Sequence, residues 1–244
     1  IEYHTTNEFR RGGNKFDYEP FETDITEQTK HVINSGGLTY DLFWKEYNHK
    51  LSFYASAQHV DRNSYYGAQQ DPNAYGKTKD LTFVGGSMYT GNFEKVLFSP
   101  AVFTMGLEYQ HNNMHDVMAG YNRDLKQEVR IASAFVQNES KMKRFTLLAG
   151  FRLDEHNLID HPIFSPRVNL LYKPSDAFQG RLTWSTGFRA PQAYDEDLHI
   201  TAVGGEGTLI SLADGLKPEK SNSFSGSIDW VFNVGHWQAN MLVE

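Results

Sequence analysis

Histidine and acidic side chains are the residues of this sequence that could ligate a metal ion, and several lie in polar segments. Neutral imidazole binds iron and other transition metals. Five of the 10 histidines fall in such segments: His111, His115, His156, His161 and His199. Carboxylate oxygens are the ligands that Ca²⁺ prefers, and Asp195, Glu196 and Asp197 stand together shortly before His199. We therefore take Asp195 and Asp197 as candidate ligands of a metal ion such as Ca²⁺, with ordinary hydration of a polar loop as the alternative.

Aromatic and basic residues form a second group, which suits a ligand that is both anionic and partly apolar. Aromatic rings stack against apolar surfaces, and guanidinium groups pair with negative charge. The group combines four tyrosines with two arginines: Tyr65, Tyr66, Tyr75, Tyr121, Arg62 and Arg123. Tyr65 and Tyr66 are the candidate ligand contacts, and packing of the loops against each other is the alternative interpretation.

Catalytic motifs are absent from the sequence. Gly76-Lys77-Thr78 resembles the end of a phosphate-binding loop, but position 71 is Asp71 where that motif requires glycine. The sequence has 0 Cys, which excludes disulfides and thiolate metal sites. Its formal net charge of −7 argues against binding to a nucleic-acid backbone. We predict that the chain is not an enzyme and does not bind nucleic acid.

Strands must position these residues, because apolar and polar side chains alternate along most of the chain. Residues 103–109 show the pattern, with Phe, Met, Leu and Tyr at the odd positions and Thr, Gly and Glu between them. A helix would instead place apolar residues three and four positions apart. The pattern predicts about eleven strands, over residues 1–10, 30–44, 50–62, 79–93, 99–111, 126–139, 143–154, 164–174, 180–190, 220–233 and 236–244.

The connections between these strands alternate in length. Short polar turns are predicted at 45–49, 94–98, 140–142, 173–179 and 233–236, and longer loops at 11–29, 63–78, 112–125, 155–163 and 191–220. In an up-and-down meander every second connection lies at the same end of the sheet. Short turns at one end and long loops at the other are typical of outer-membrane barrels.

The length and the faces of the strands favour the same architecture. Strands of ten or more residues exceed the ~5–6 of soluble sheets and match the ~9–11 needed to cross a bilayer. No apolar run approaches the ~18 residues of a membrane-spanning helix. The sequence therefore predicts an all-β protein, an antiparallel up-and-down transmembrane β-barrel. A soluble β-sheet binding module is the alternative.

Several short motifs, taken in order, resemble the TonB-dependent outer-membrane receptors. The most specific are Thr186-Gly187-Phe188-Arg189-Ala190-Pro191-Gln192 and Leu216-Lys217-Pro218-Glu219-Lys220-Ser221. In that family a Phe-Arg-Ala-Pro box ends one strand, and a Leu-Lys-Pro-Glu box opens the next after a long outer loop. The run from Gly150 to Pro174 matches the preceding motifs of the family, and residues 195–199 resemble members from Bacteroides-type bacteria.

The resemblance implies a barrel of twenty-two strands around an N-terminal plug, in the bacterial outer membrane. Such receptors bind and import scarce metal chelates, namely ferric siderophores, haem or cobalamin, with energy supplied through TonB. About eleven predicted strands would make residues 1–244 a part of the barrel domain without the plug. The expected partners are the chelate, the remaining strands and plug, TonB through that plug, and membrane lipid. An outer-membrane adhesin or enzyme barrel is the alternative.

The resemblance also directs attention to the loop between the two boxes. Arg189 shares a strand face with Thr183 and Ser185, so we expect it to point into the lumen, with strand termination as its alternative role. Tyr194 follows it in the loop and is a further candidate ligand contact. Haem receptors of the family carry a haem-binding histidine between the boxes, which makes His199 a candidate ligand of haem iron.

Overall fold

The computed structural model describes residues 1–96, 99–192 and 215–244, and strands make up most of them. Within these ranges, two single-turn 3-10 helices interrupt the connections, at Pro20–Glu22 and Ala119–Tyr121. No helix in these three ranges is long and apolar enough to span a membrane. The eleven strands are β1 (Glu2–Gly13), β2 (Ile25–Trp44), β3 (His49–Ala68), β4 (Tyr75–Val96), β5 (Ser99–Met118), β6 (Arg123–Lys141), β7 (Phe145–His156), β8 (Ile163–Ser175), β9 (Phe178–Arg189), β10 (Glu219–Val234) and β11 (Trp237–Val243).

All eleven strands form one antiparallel sheet in which each strand pairs with its neighbours in sequence. The order β1 to β11 is the up-and-down meander that the sequence predicts, and the all-β prediction is confirmed. Pairing is continuous over long stretches; every residue of β2 from Ile25 to Trp44 has a partner on β3.

The strands are longer than the sequence predicts at one end of the sheet. β2, β3 and β5 have 20 residues each, β4 has 22 and β6 has 19. The prediction of long loops over 63–78 and 112–125 is wrong, because the strands continue and the connections shrink to residues 69–74 and 119–122. The first connection, residues 14–24, remains the longest of these three. Hydrogen bonds of the main chain, rather than an apolar face, extend these strands.

Side chains on the two faces of the sheet differ in polarity. On β5, Met105, Leu107 and Tyr109 point to one face and are 49%, 62% and 42% exposed. The alternate residues Glu108 and Gln110 point to the other face, where they are hydrogen-bonded to each other. Rows of large exposed apolar side chains are the signature of a lipid-facing surface. We call this the outer face and its opposite the inner face.

The sheet curls so that the inner face is concave. Glu8 on β1 and Arg189 at the end of β9 line one cavity of about 800 Å³. In a flat sheet, eight strand spacings would separate these strands by about 38 Å, which is far wider than the cavity. The curvature and the polar inner face are those of a barrel wall around a lumen.

Contacts between the connections join the strands at the end where β2–β5 extend. The backbone N–H of Gln69 donates to the carbonyl of Asp24 at 2.8 Å, which ties the first connection to the β3–β4 hairpin. The Tyr121 hydroxyl donates to the carbonyl of Tyr66 at 2.7 Å. Tyr66 and Met118 are both buried and pack with Tyr121. This end of the wall is therefore a packed rim, and we call it the rim below.

Candidate ligand-binding cavity

The inner face below the rim forms the cavity that Glu8 and Arg189 share. Strands β1–β6 and the end of β9 contribute its walls. Its charged lining consists of Glu8, Arg10, Arg11, Glu27, Arg62, Asp80 and Arg189, with His31 among them. Its apolar lining includes Ile33, Val60, Tyr66 and Met114.

Strand register brings the lining residues together. Glu8 pairs with His31, His31 with Arg62, Arg62 with Thr78, and Thr78 with Asp116. These five residues form a row across β1–β5 on the inner face. Neighbouring strands lie about 4.8 Å apart, so residues distant in sequence become direct neighbours.

Asp116 anchors the cationic part of this row. Its side chain is 4% exposed and accepts a hydrogen bond of 2.5 Å from the Thr78 hydroxyl. Arg62 donates to Thr78 at 2.8 Å and lies 3.4 Å from Asp116, while Arg123 contacts the other carboxylate oxygen at 2.7 Å. Two guanidinium groups thus share one carboxylate beside the cavity.

Strand β1 contributes two further arginines to the cavity, Arg10 and Arg11. Arg10 pairs with Glu8 at 2.7 Å, and Arg11 donates to the carbonyl of Tyr18 at 2.6 Å. Arg189 lines the same cavity from the end of β9. Four arginines against three carboxylates give the lining a positive balance. Fixed guanidinium groups bind carboxylate and other anionic oxygen groups through paired hydrogen bonds.

A second polar network occupies the inner face nearer the short turns. Tyr54, Gly86, Glu108, Ser133 and Asp154 form a row of paired residues across β3–β7. The Tyr54 hydroxyl donates to Glu108 at 2.7 Å. A Cβ atom at Gly86 would lie 2.6 Å from that hydroxyl, so only glycine lets the Tyr54 ring cross β4 to reach β5.

Arg152 connects the last three strands of this network. Its Nη2 donates to Glu108 at 2.8 Å and to the Ser133 hydroxyl at 2.6 Å. Its Nε donates to Asp154 at 2.7 Å. Asp154 also accepts from the Ser133 hydroxyl at 2.6 Å. The network fixes the inner wall and leaves little unpaired charge there.

The residues predicted as ligand contacts have different surroundings. Arg189 lies on the predicted inner face and lines the cavity, and so does Tyr66. Tyr65 is 1% exposed; its hydroxyl donates to the carbonyl of Asp71, and its ring centroid is 4.8 Å from that of Tyr75. Tyr65 therefore packs within the β3–β4 hairpin and does not line the cavity. Tyr194, Asp195, Asp197 and His199 lie outside the described residues.

Two of the other histidines noted in the sequence have carboxylate partners. His111 lies 3.2 Å from Glu128, and His115 lies 2.7 Å from Asp124. Within the described part of the chain, no group of three or more His, Asp or Glu side chains is arranged to hold a metal ion. The metal predictions for His199, Asp195 and Asp197 concern other residues and stay predictions.

Sequence reasoning missed most of the cavity. Glu8, Arg10 and His31 lie on strands but drew no attention, because only the pairing register places them beside Arg62 and Arg189. The signal that could have found them is the alternation itself. It assigns a face to each residue once the apolar face is known.

Two groups at the rim, outside the strands, have shifted pKa values. Hydrogen bonds from Lys15 and Asn14 lower the pKa of Asp24 below its ordinary value of 3.8. Burial raises the pKa of the Tyr121 phenol, and the nearby charge of Asp71 adds to the effect. The Asp24 carboxylate is thus stabilised in its charged form, and the Tyr121 phenol in its neutral, hydrogen-donating form.

Comparison with known protein families decides the assignment. The sequence model of a family described as TonB dependent receptor-like, beta-barrel matches residues 2–241. The chain belongs to this family. Its members are receptors and transporters with outer-membrane β-barrels, not enzymes, as the sequence predicts. No curated protein matches the chain, and the resemblance to Bacteroides-type members stays a prediction.

Solved structures with the same fold include three siderophore-related receptors. The siderophore receptor PirA from Pseudomonas aeruginosa has a TM-score of 0.66 and 16% identity, over 89% of this chain and 40% of PirA. The ferric enterobactin receptor PfeA from Pseudomonas aeruginosa, as its G324V mutant, has a TM-score of 0.65 and 16% identity, over 89% and 38%. PirA from Acinetobacter baumannii has a TM-score of 0.60 and 18% identity, over 89% and 39%. The TonB-dependent barrel described here thus spans about two fifths of these receptors.

Proposed function

We propose that this chain forms part of the barrel wall of an outer-membrane receptor that binds and imports a metal chelate, with energy coupled through TonB. The observation that carries the proposal is the inner-face cavity of about 800 Å³ with four arginines in its lining. A cavity of this volume lies in the range of small-molecule sites, about 300–1,000 Å³.

The charge of the lining favours an anionic chelate. Arg10, Arg11, Arg62 and Arg189 outnumber the carboxylates Glu8, Glu27 and Asp80. Guanidinium groups in fixed positions bind carboxylate and catecholate oxygens through charge-assisted hydrogen bonds. PfeA, which shares the fold, has been solved in complex with enterobactin. A ferric siderophore is therefore the ligand we propose first, and Tyr66 offers the cavity an aromatic surface.

Haem and cobalamin are the other ligands of the proposal. His199 would serve as a ligand of haem iron, and Tyr194 would contact the ligand from the same loop. Asp195 and Asp197 would hold Ca²⁺. These roles rest on the residue types and on the resemblance of the flanking motifs. The further partners we propose are the remaining strands and plug of a complete receptor, TonB acting through that plug, and outer-membrane lipid.

The test uses the protein expressed from its complete coding sequence and measures binding by tryptophan fluorescence. Ferric enterobactin, ferric citrate, haemin and cyanocobalamin are the four probes. Arg189→Gln removes one cation of the cavity, and Arg167→Gln is the matched control, since Arg167 lies on the inner face of β8 outside the cavity lining. One charged hydrogen bond contributes about 1.5–3 kcal/mol, so Arg189→Gln should weaken a ferric siderophore roughly tenfold or more.

Three outcomes contradict parts of the proposal. Equal affinities for Arg189→Gln and Arg167→Gln would remove Arg189 from the site. Haemin binding that is unchanged in His199→Ala would end the haem role of His199. Binding of none of the four probes by the complete, membrane-inserted protein would refute the transport of these chelates.

A further inference from the structure

The outer face of β8–β10 carries an apolar groove that the cavity on the inner face does not explain. Leu170, Tyr172, Phe178, Leu182 and Ile228 line one part of it, a depression of about 400 Å³. A second depression of about 420 Å³ shares Leu170 and Leu182 and continues to Trp184 and Phe224. From residue 178 to residue 184 the groove runs about 20 Å along the strands.

Two glycines create the groove. Gly180 and Gly226 lie among its lining residues, and register places Gly180 between Tyr172 and Ile228. A Cβ atom added at Gly180 would find its nearest neighbour 3.9 Å away, at the Ser227 carbonyl oxygen. The groove is thus open at Gly180, whereas a Cβ atom added at Gly226 would lie 3.3 Å from Cδ2 of Leu182. Side chains that remain exposed bound the groove, such as Leu182 at 65% and Phe224 at 78%.

Basic residues lie beside the short-turn end of this groove. The backbone N–H of Lys173 donates to the carbonyl of Arg144 at 2.8 Å, which joins the β6–β7 turn to the end of β8. Two further cations at this end, Lys141 and Lys173, pair with Glu139 at 3.4 Å and Asp176 at 3.2 Å, and strand alternation places both on the inner face. Lys143 and Arg144 are exposed; within the described ranges neither forms an ion pair. Lys143 and Arg144 therefore form the basic patch, which carries two positive charges.

Aromatic rings connect the basic patch to the groove. Phe145 follows Arg144 directly, and its ring stacks on that of Tyr172 with centroids 4.7 Å apart. Tyr172 in turn lines the groove and pairs with Gly180. β7 and β9 are two strand spacings apart, about 10 Å. Aromatic rings at this level of a membrane barrel mark the boundary between acyl chains and headgroups.

We propose that this groove and the adjoining basic patch form a binding site for an anionic phospholipid of the membrane. An acyl chain lies along Gly180, between Tyr172 and Ile228, and the phosphate lies at Lys143 and Arg144. The charge of the patch selects the anionic headgroup, and the apolar groove selects a lipid over a free phosphate. This inference rests on the membrane placement in the proposed function but not on the identity of the chelate.

Native mass spectrometry tests the site on the protein expressed from its complete coding sequence and purified in detergent. Dioleoyl phosphatidylglycerol and dioleoyl phosphatidylcholine are added at equal concentrations, and the retained copies of each are counted. Wild type should retain the anionic lipid preferentially. Lys143→Gln/Arg144→Gln should lose that preference on the order of tenfold, and Gly180→Leu should reduce retention of both lipids.

The matched control is Lys45→Gln/Lys95→Gln, which removes two exposed cations at the same end of the barrel from other hairpins. It should behave as wild type. The site is refuted if wild type shows no preference for the anionic lipid, or if the control and Lys143→Gln/Arg144→Gln lose it equally. If glycerol phosphate alone displaced the lipid, the proposed binding of the acyl chain in the groove would also be refuted. If the protein is recovered in soluble form without detergent, the membrane placement itself is refuted. If a membrane-inserted barrel retains phosphatidylglycerol and phosphatidylcholine equally, only this lipid site is refuted.

Discussion

Removal of the Arg152 side chain should destabilise the barrel wall measurably. Arg152 donates to Glu108 at 2.8 Å, to Asp154 at 2.7 Å and to the Ser133 hydroxyl at 2.6 Å. It thereby connects β5, β6 and β7 on the inner face. Arg152→Met keeps the length and the apolar stem of the side chain but leaves both carboxylates without their cation.

The magnitude follows from the two charged hydrogen bonds that are lost. Each contributes about 1.5–3 kcal/mol, which sets an upper bound of about 3–6 kcal/mol. The Arg152 side chain is 33% exposed, while Glu108 and Asp154 are 17% and 5% exposed. Water replaces part of the interaction at an exposed group, and Asp154 keeps its bond from Ser133. We therefore expect a loss of about 2 kcal/mol in the free energy of unfolding.

The assay is urea unfolding of the complete protein in lipid vesicles, followed by tryptophan fluorescence. The midpoint should fall at an unchanged slope, because the surface exposed on unfolding stays the same. Arg167→Met is the control, since Arg167 lies on the inner face of the next strand and forms no ion pair with a described residue. In the double variant with Glu108→Gln, the two losses should be less than additive by about 1 kcal/mol. Equal destabilisation by Arg152→Met and Arg167→Met, or full additivity, would refute the network as the cause.

Three further results are expected. Tyr121→Phe removes the donor to the Tyr66 carbonyl and should cost about 1 kcal/mol, seen as faster hydrogen exchange at the rim; unchanged exchange would contradict the contact. The lowered pKa of Asp24 means that its link to Lys15 is intact above the ordinary carboxyl value of 3.8 and is lost as the pH falls below it. Limited proteolysis with pepsin measures this loss as the rate of cleavage within residues 14–24 in acid, divided by the rate near pH 5. This ratio should be larger for wild type than for Asp24→Asn, in which the link is absent at every pH. Leu107→Arg places a charge on the outer face, where Leu107 is 62% exposed, and should destabilise insertion by about 2–4 kcal/mol; a neutral effect on vesicle folding would show that this face does not meet lipid.

Sequence patterns revealed the strands only where one face is apolar. The alternation of Met105, Leu107 and Tyr109 with polar residues identified β5, since lipid requires apolar side chains on one face only. Near the rim both faces are polar, so the same strand continues to Met118 without a periodic signal. The predicted loop at 112–125 was wrong for this reason. Main-chain hydrogen bonds between strands do not depend on side-chain polarity. The residues at which these strands end therefore cannot be predicted from the pattern of polar and apolar side chains.

The sequence predicts the strand face on which a residue of the candidate site lies, but not which residues of different strands lie close together. The face of Arg189 followed from its parity with Thr183 and Ser185 on one strand. Its proximity to Glu8 required the register of nine strands and the curvature of the sheet. Tyr65 and Tyr66 are adjacent in sequence, yet only Tyr66 lines the cavity, because successive residues of a strand point to opposite faces.

The residue-by-residue pairing of β2–β5 nearly to the rim constrains how such a protein can change over generations. Loss of a single amino acid within these strands would turn every following side chain to the opposite face. We therefore expect insertions and deletions at the hairpin tips, such as residues 69–74 and 119–122. Between the tips, we expect the lining of the proposed ligand cavity to change only by the exchange of one side chain for another at a fixed position.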